Sequence, residues 1–198
     1  MKWQRIAQKI YEVTPLFYDY QLDFFNGNHL RILKKKLKQI PKEKILEIGC
    51  GTAPILKEFH PKTYVGIDID EKFINIAKKL HRKTNYKFYI KDGRKVETDE
   101  EFDMVILSHT THHFSDLDIK KVLKSLEKIR FKHLVIYDTE PMGLLAPILI
   151  KLDLGNYFRK EKDFHSLLNG KYKIIHSETF KSNRPFYKYP LLIISKKQ

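Results

Sequence analysis

Three acids stand where short apolar runs end: Glu47 within ILEIGCG, Asp68 closing TYVGID, and Asp92 in KDG. Two glycines, Gly49 and Gly51, follow the first acid, and a fourth run, DMVILS, leads through Ser108 into HTTHH. Ligands of an open parallel sheet bind outside the carboxyl ends of its strands, so these positions are where chemistry is expected. Gly49 and Gly51 permit a tight strand-to-helix turn and let backbone approach a ligand with no Cβ in the way. Asp68, nineteen residues beyond Gly49 and at the next strand tip, is placed to accept hydrogen bonds from both hydroxyls of a ribose. The ligand implied is a nucleoside.

A nicotinamide dinucleotide fits poorly. The GxGxxG fingerprint wants a third glycine where Pro54 stands, and Glu47 would set negative charge beside a pyrophosphate. The same carboxylate attracts an ammonium. A ligand with a ribose, an adenine and a cationic amino-acid tail meets all three acids, and S-adenosylmethionine is such a ligand.

Methyl transfer from a sulfonium is an in-line displacement in which the protein aligns nucleophile, carbon and sulfur away from water. Where the acceptor is a carbon acid, a phenol or a protonated amine, a base is also needed, and His112 and His113 are the candidates. A structural role for His113 is equally open. The spacing His109-x-x-His112-His113 lacks a nearby Cys or carboxylate to complete a tetrahedral set, so no metal is expected. Cys50, the single cysteine, reads as a small buried hydrophobe.

The chain resembles the class I S-adenosylmethionine-dependent methyltransferases, most of all those acting on small molecules, quinones and lipids. ILEIGCGTAP resembles the family's first motif, E/D-x-G-x-G-x-G, with Ala53 in place of the third glycine. YVGIDID resembles the ribose-binding motif, KDG the adenine-binding turn, and FDMVILSHTTHHF the fourth-strand motif. The resemblance covers about residues 44–138. It implies a Rossmann-like, mostly parallel seven-stranded sheet of order 3-2-1-4-5-7-6 with strand seven antiparallel. It also implies that Glu47 holds the methionine amino group, that Gly49 and Gly51 line the methionine moiety, and that Asp68 binds the ribose. By the same likeness Asp92 binds the adenine amine, Gly93 forms the turn, and Ser108 lies beside the sulfonium. Upstream, Tyr18-Asp19 resembles a pair found in the N-terminal cap of quinone and lipid methyltransferases, which places Tyr18 at the cofactor.

The elements that must position these residues alternate. Lys44–Ile48, Thr63–Asp68, Tyr86–Ile90, Asp103–Ser108 and His133–Asp138 read as buried strands, with helices expected at Pro54–His60, Glu71–Arg82 and Asp116–Arg130. Asp70 and Ser115 or Asp116 suit N-caps. This alternation is an α/β pattern, a parallel sheet with crossover helices on both faces. Two closing strands, Tyr172–Phe180 and Pro190–Ser195, bring the expected total to seven. A single domain is predicted: residues 1–40 as an N-terminal helical cap, 41–138 as the cofactor-binding core, 139–170 as a substrate-side segment, and 171–198 as the closing strands. Segment 139–170 is too long for a plain connection. Its apolar MGLLAPILI stretch, flanked by Lys151, Arg159, Lys160 and Lys162, suits an amphiphilic acceptor or contact with a membrane surface.

Composition sets the outer bounds. With 198 residues and 42% hydrophobic side chains, the chain is long enough for one well-buried core and is not a disordered or linker-like sequence. No apolar run approaches bilayer-spanning length, and charged residues interrupt the first thirteen positions, so a cytoplasmic protein is expected. The formal charge of +14 leaves two readings open, a solvated lysine-rich surface or an RNA-binding face. The functional expectation is methyl transfer to a small or lipid-like acceptor. RNA or protein methylation, and cofactor binding without turnover, stand as alternatives.

Overall fold

A computed structural model describes residues 24–152, 155–168 and 170–197. Eight strands form one sheet: β1 (Lys44–Ile48), β2 (Thr63–Asp68), β3 (Tyr86–Ile90), β4 (Glu101–Ser108), β5 (Arg130–Tyr137), β6 (Glu140–Pro141), β7 (Tyr172–Lys181) and β8 (Tyr187–Lys196). The order is β3-β2-β1-β4-β5-β8-β6, with β7 also pairing β8. The first five strands are parallel and β8 runs antiparallel to β5 and β7. The expected 3-2-1-4-5-7-6 arrangement is therefore present, with one strand more than the seven expected. The addition, β6, is two residues long and pairs with Tyr187 and Lys188 at the start of β8. Its brevity and its proline hide it from any periodicity.

Alternation along the strands sorts the core into two layers, since residues i and i+2 share a face. Ile45, Met104, Ile106, Val135 and Tyr137 face one side. There they meet Leu30, Leu33 and Leu37 from helix α1 (His29–Lys36) and the turn after it, and Ile74 and Ala77 from α2 (Glu71–Leu80). Leu46, Ile48, Val105, Leu107, Leu134 and Ile136 face the other side, covered by Ile119, Val122, Leu123 and Leu126 of α3 (Asp116–Leu126). The central strands, buried on both faces, read as continuous apolar runs for this reason.

Both expected N-caps are in place. Asp70 accepts the amide hydrogen of Lys72 at 2.8 Å, and Ser115 Oγ accepts that of Asp118 at 3.2 Å. The helix expected at Pro54–His60 is instead one 3-10 turn, Pro54–Lys57. It starts from Ala53 in the left-handed region (φ 60°), and Pro61 disfavours a helical His60. Segment 139–170 contributes two short helices, α4 (Ala146–Leu152) and α5 (Glu161–His165). Among the described residues no helix is long and apolar enough to cross a membrane. The N-terminal cap is described only from residue 24, so the cap's first part and Tyr18 lie outside the described residues.

Candidate functional site

A cleft of about 400 Å³ opens at the carboxyl ends of the parallel strands. Six of the ten site residues expected from sequence line it: Gly49, Gly51, Asp68, Asp92, Gly93 and Ser108. His113 makes a seventh, exposed at the rim.

The turn after β1 is built from alternating left-handed residues, Gly49 (φ 68°), Gly51 (φ 53°) and Ala53 (φ 60°). Gly49 and Cys50 both donate their amide hydrogens to the carbonyl of Ile67, at 2.8 and 3.0 Å, which pins the turn to the end of β2. The two glycines serve different ends. A Cβ on Gly49 would lie 2.1 Å from Thr110 Oγ1, so this glycine admits the loop leaving β4. A Cβ on Gly51 would meet nothing within 4 Å; this glycine keeps the cleft floor open and supplies a conformation that L side chains disfavour.

Asp68 is tied into that turn. Its Oδ2 accepts the amide hydrogen of Gly51 at 2.8 Å and its Oδ1 that of Asp70 at 2.9 Å. Burial raises the carboxyl's pKa, and these two amides act in the opposite sense. A carboxylate has about four acceptor positions, so with the amides of Gly51 and Asp70 in place, and a weaker one from Ile69, it retains capacity for a hydroxyl donor in the cleft.

Asp92 opens the turn after β3, and its carboxylate is forked by Arg94, with Nε at 2.9 Å from Oδ1 and Nη2 at 2.8 Å from Oδ2. Arg94 also donates to Asp118 Oδ1 at 3.2 Å, bridging to α3. The Arg94 hydrogen bonds hold Asp92 below the ordinary carboxylate range. Asp118, bonded by Ser115, Lys121 and Arg94, is drawn down to about 2. An adenine amine would thus share Asp92 with a guanidinium, which composition and spacing do not reveal.

Two expected residues are not brought to the cleft wall. Glu47 shares a strand face with Ile45 and so points into the layer beneath α1 and α2. Only 1% of it is exposed, and it accepts a hydrogen bond from the Tyr64 hydroxyl. Burial pushes its pKa well up, against the pull of that hydroxyl. His112 is also buried: its Nδ1 lies 2.5 Å from Asp138 Oδ1 and its amide donates to Asp138 Oδ2 at 2.8 Å. The Thr111 hydroxyl and the Thr139 amide complete the shell around Asp138. Burial opposes ionisation of Asp138, yet the charge and hydrogen bonding of His112 outweigh it and hold the carboxyl well below its usual range. The His112 ring stacks on Phe158 at 5.2 Å. The placement of His112 corrects the expectation of a base: it fixes the loop and does not line the cleft.

Arg159 is corrected too. Expected as a basic flank, it is 8% exposed and donates to the carbonyls of Thr111, Phe114 and Tyr157 and to Asp116 Oδ1. Together with the amides of Asn156 and Tyr157, which donate to the His112 carbonyl, it fastens segment 139–170 to the loop after β4.

Sequence reasoning missed a buried aromatic group beside the cleft. His29 Nδ1 lies 2.5 Å from the Tyr137 hydroxyl and 3.3 Å from Nε2 of His109, which lines the cleft. His109 itself adopts φ 50°. The available signal was the i, i+4 series His29, Leu33, Leu37, a polar residue on the apolar stripe of a helix. Among the described residues no group of three or more His, Cys, Asp and Glu side chains is arranged to hold a metal ion.

Residues 45–129 match the family described as "Methyltransferase domain". The malonyl-[acyl-carrier protein] O-methyltransferase of Bacillus anthracis is 29% identical over 138 residues, covering 66% of this chain and 49% of that protein. The phthiotriol/phenolphthiotriol dimycocerosates methyltransferase of Mycobacterium tuberculosis is 28% identical over 99 residues, 45% of this chain and 37% of that one. The chain thus spans about half the length, or less, of these curated relatives. Among solved structures, the N-methyltransferase NodS from Bradyrhizobium japonicum WM9, in complex with S-adenosyl-L-homocysteine, superposes with a TM-score of 0.69 at 16% identity, covering 90% of this chain and 92% of that one. The glycine turn tied to Asp68, the strand order and the match over residues 45–129 converge: that span is similar to a methyltransferase domain, and the chain shares the fold of a methyltransferase whose structure holds S-adenosyl-L-homocysteine.

Proposed function

We propose that the protein transfers the methyl group of S-adenosylmethionine to a small or lipid-like organic acceptor. The observation that carries this reading is Asp68. Its carboxylate is oriented by the Gly51 and Asp70 amides at the wall of an open cleft and keeps acceptor capacity for a ribose. The sulfonium supplies the methyl group and its own leaving group. The chain's residues bind the nucleoside through Asp68, keep the floor clear at Gly51, and place Ser108 and His109 where β4 meets the cleft.

The acceptor class is supported from two directions. The relatives named above act on a malonyl group held by its carrier protein and on phthiotriol lipids. In this chain, Leu144, Leu145, Ile148 and Ile150 leave a run of apolar side chains exposed in and just before α4, in the substrate-side segment. The relatives named above are not described as acting on RNA, and the formal charge of +14 by itself points to no particular partner.

Titration calorimetry with S-adenosylhomocysteine tests the reading. The wild-type protein binds it, and Asp68→Ala weakens binding at least tenfold while thermal unfolding stays cooperative. Equal affinity in the two proteins removes Asp68 from the site and the reading with it.

A further inference from the structure

The group at His29, His109 and Tyr137 is not used by the cofactor site, yet one member lines the cleft. His109 follows Ser108 at the tip of β4, is half-buried, and presents its ring edge-on to Tyr137 at 4.8 Å between centroids. Behind it, His29 from α1 is stacked on Tyr189 and faces the Tyr137 hydroxyl. Burial, with the positive charges that His109 and Lys57 can bring near, lowers the His29 pKa well below its ordinary value. His29 is thereby biased to the neutral form, and its Nδ1 lies within hydrogen-bonding distance of both the Tyr137 hydroxyl and His109 Nε2. The Asp138 carboxylate also lies close enough to His109 for their charges to interact. His109 thus has the geometry a base needs: access to the cleft, the His29 imidazole and Tyr137 hydroxyl behind it to fix its ring, and the Asp138 carboxylate in electrostatic reach.

Such a base matters only for an acceptor with a proton to lose. A carboxylic acid is already ionised near neutrality and calls for a cation instead. Among the described residues lining the cleft, the Lys and Arg side chains are Lys91 and Arg94, both directly after β3. In the sheet order, β3 is three strand spacings from β4, roughly 14 Å. Arg94 is already held by Asp92 and Asp118.

We propose that the acceptor is a hydroxyl compound, an alcohol or phenol on an apolar body, and that His109 is the catalytic base, positioned by His29 and Tyr137. This rests on the methyl-transfer function proposed above. In the step, the O–H bond breaks as the O–CH₃ bond forms and the S–CH₃ bond breaks. The O–H electron pair stays on oxygen, the proton passes to a ring nitrogen of His109, and the sulfonium's positive charge ends as imidazolium beside a neutral thioether and a methyl ether.

The experiment offers labelled S-adenosylmethionine with 4-dodecylphenol or palmitic acid as probes. Label is expected in the phenol, with a rate that rises with pH to a plateau. His109→Asn, which tolerates a left-handed backbone but cannot take the proton, is expected to lower kcat about a hundredfold with unchanged affinity for S-adenosylhomocysteine. His29→Leu should shift the midpoint of the pH profile, and His29→Asn, which restores a hydrogen-bonding group near Nδ1, should return it. Label in palmitate alone, label in neither probe, or a wild-type rate for His109→Asn overturns the proposal. If the wild-type protein fails to bind S-adenosylhomocysteine in calorimetry, the methyl-transfer function itself is overturned instead.

Discussion

Arg159 Nη1 donates to the carbonyl of Thr111 at 2.9 Å, joining residues 48 apart in sequence. The same guanidinium serves three carbonyls and one carboxylate, so it ties segment 139–170 to the loop after β4 through polar contacts. Removing it takes a charged donor from three carbonyls, of which the buried one, Thr111, keeps only the Phe114 amide at 3.1 Å. Arg159→Ala is expected to cost about 2–4 kcal/mol in urea unfolding, with faster amide exchange across residues 155–168. Exchange that stays at wild-type rates there would contradict the role assigned to this side chain.

Asp138 governs the acid limb of stability. Its folded pKa is depressed, so its contribution is complete above the unfolded value, about 4, and is lost as pH falls through the folded value. His29, also depressed, follows the same rule from a higher start: stability begins to decline below about 6.5. Urea midpoints measured from pH 8 down to 3 should show both declines. Asp138→Asn should be about 3–5 kcal/mol less stable at pH 7 and flatter below pH 4.

Glu47 runs the other way. Its folded pKa is raised by burial, so its contribution is complete below the unfolded value, about 4.3, and declines as pH rises. Glu47→Gln keeps the shape and removes the ionisation, and is expected to gain stability over wild type as pH is raised from 5 to 8. A difference between the two proteins that does not change with pH would show that the carboxyl titrates as it does in the unfolded chain.

The two glycines of the first turn should separate in a stability assay. Gly51→Ala meets open space and suffers only the left-handed penalty, about 1–2 kcal/mol. Gly49→Ala adds a collision with Thr110 and should cost clearly more, measured by the same unfolding curves. Equal costs would mean that the Thr110 loop yields freely.

The parallel core was legible because each central strand is buried on both faces and writes itself as an apolar run, and because Asp70 and Ser115 carry their caps in their own side chains. The strand-tip rule found Asp68 and Asp92 for the same reason: position after a run fixes position at the cleft. It could not tell which face a tip residue takes, and Glu47 is in phase with Ile45, so it turns inward to Tyr64. The adjacent histidines divide likewise, His112 inward to Asp138 and His113 to the rim. What was not legible depends on distant segments meeting: Arg159 with Thr111, His29 with Tyr137. A lysine-rich flank in sequence gave no sign that its arginine would be buried, because hydrogen-bond acceptors contributed by loop carbonyls carry no residue signature.

β8 is the last of the eight strands in sequence but lies inside the sheet, with β5 on one side and β7 on the other. During synthesis, five parallel strands and the residues lining the cleft emerge while β5 still presents a bare edge. Until Tyr187–Lys196 slots in, that edge is open to a wrong partner. Every residue that lines the cleft precedes β5 in sequence, so the element that closes the sheet is made after the pocket it protects.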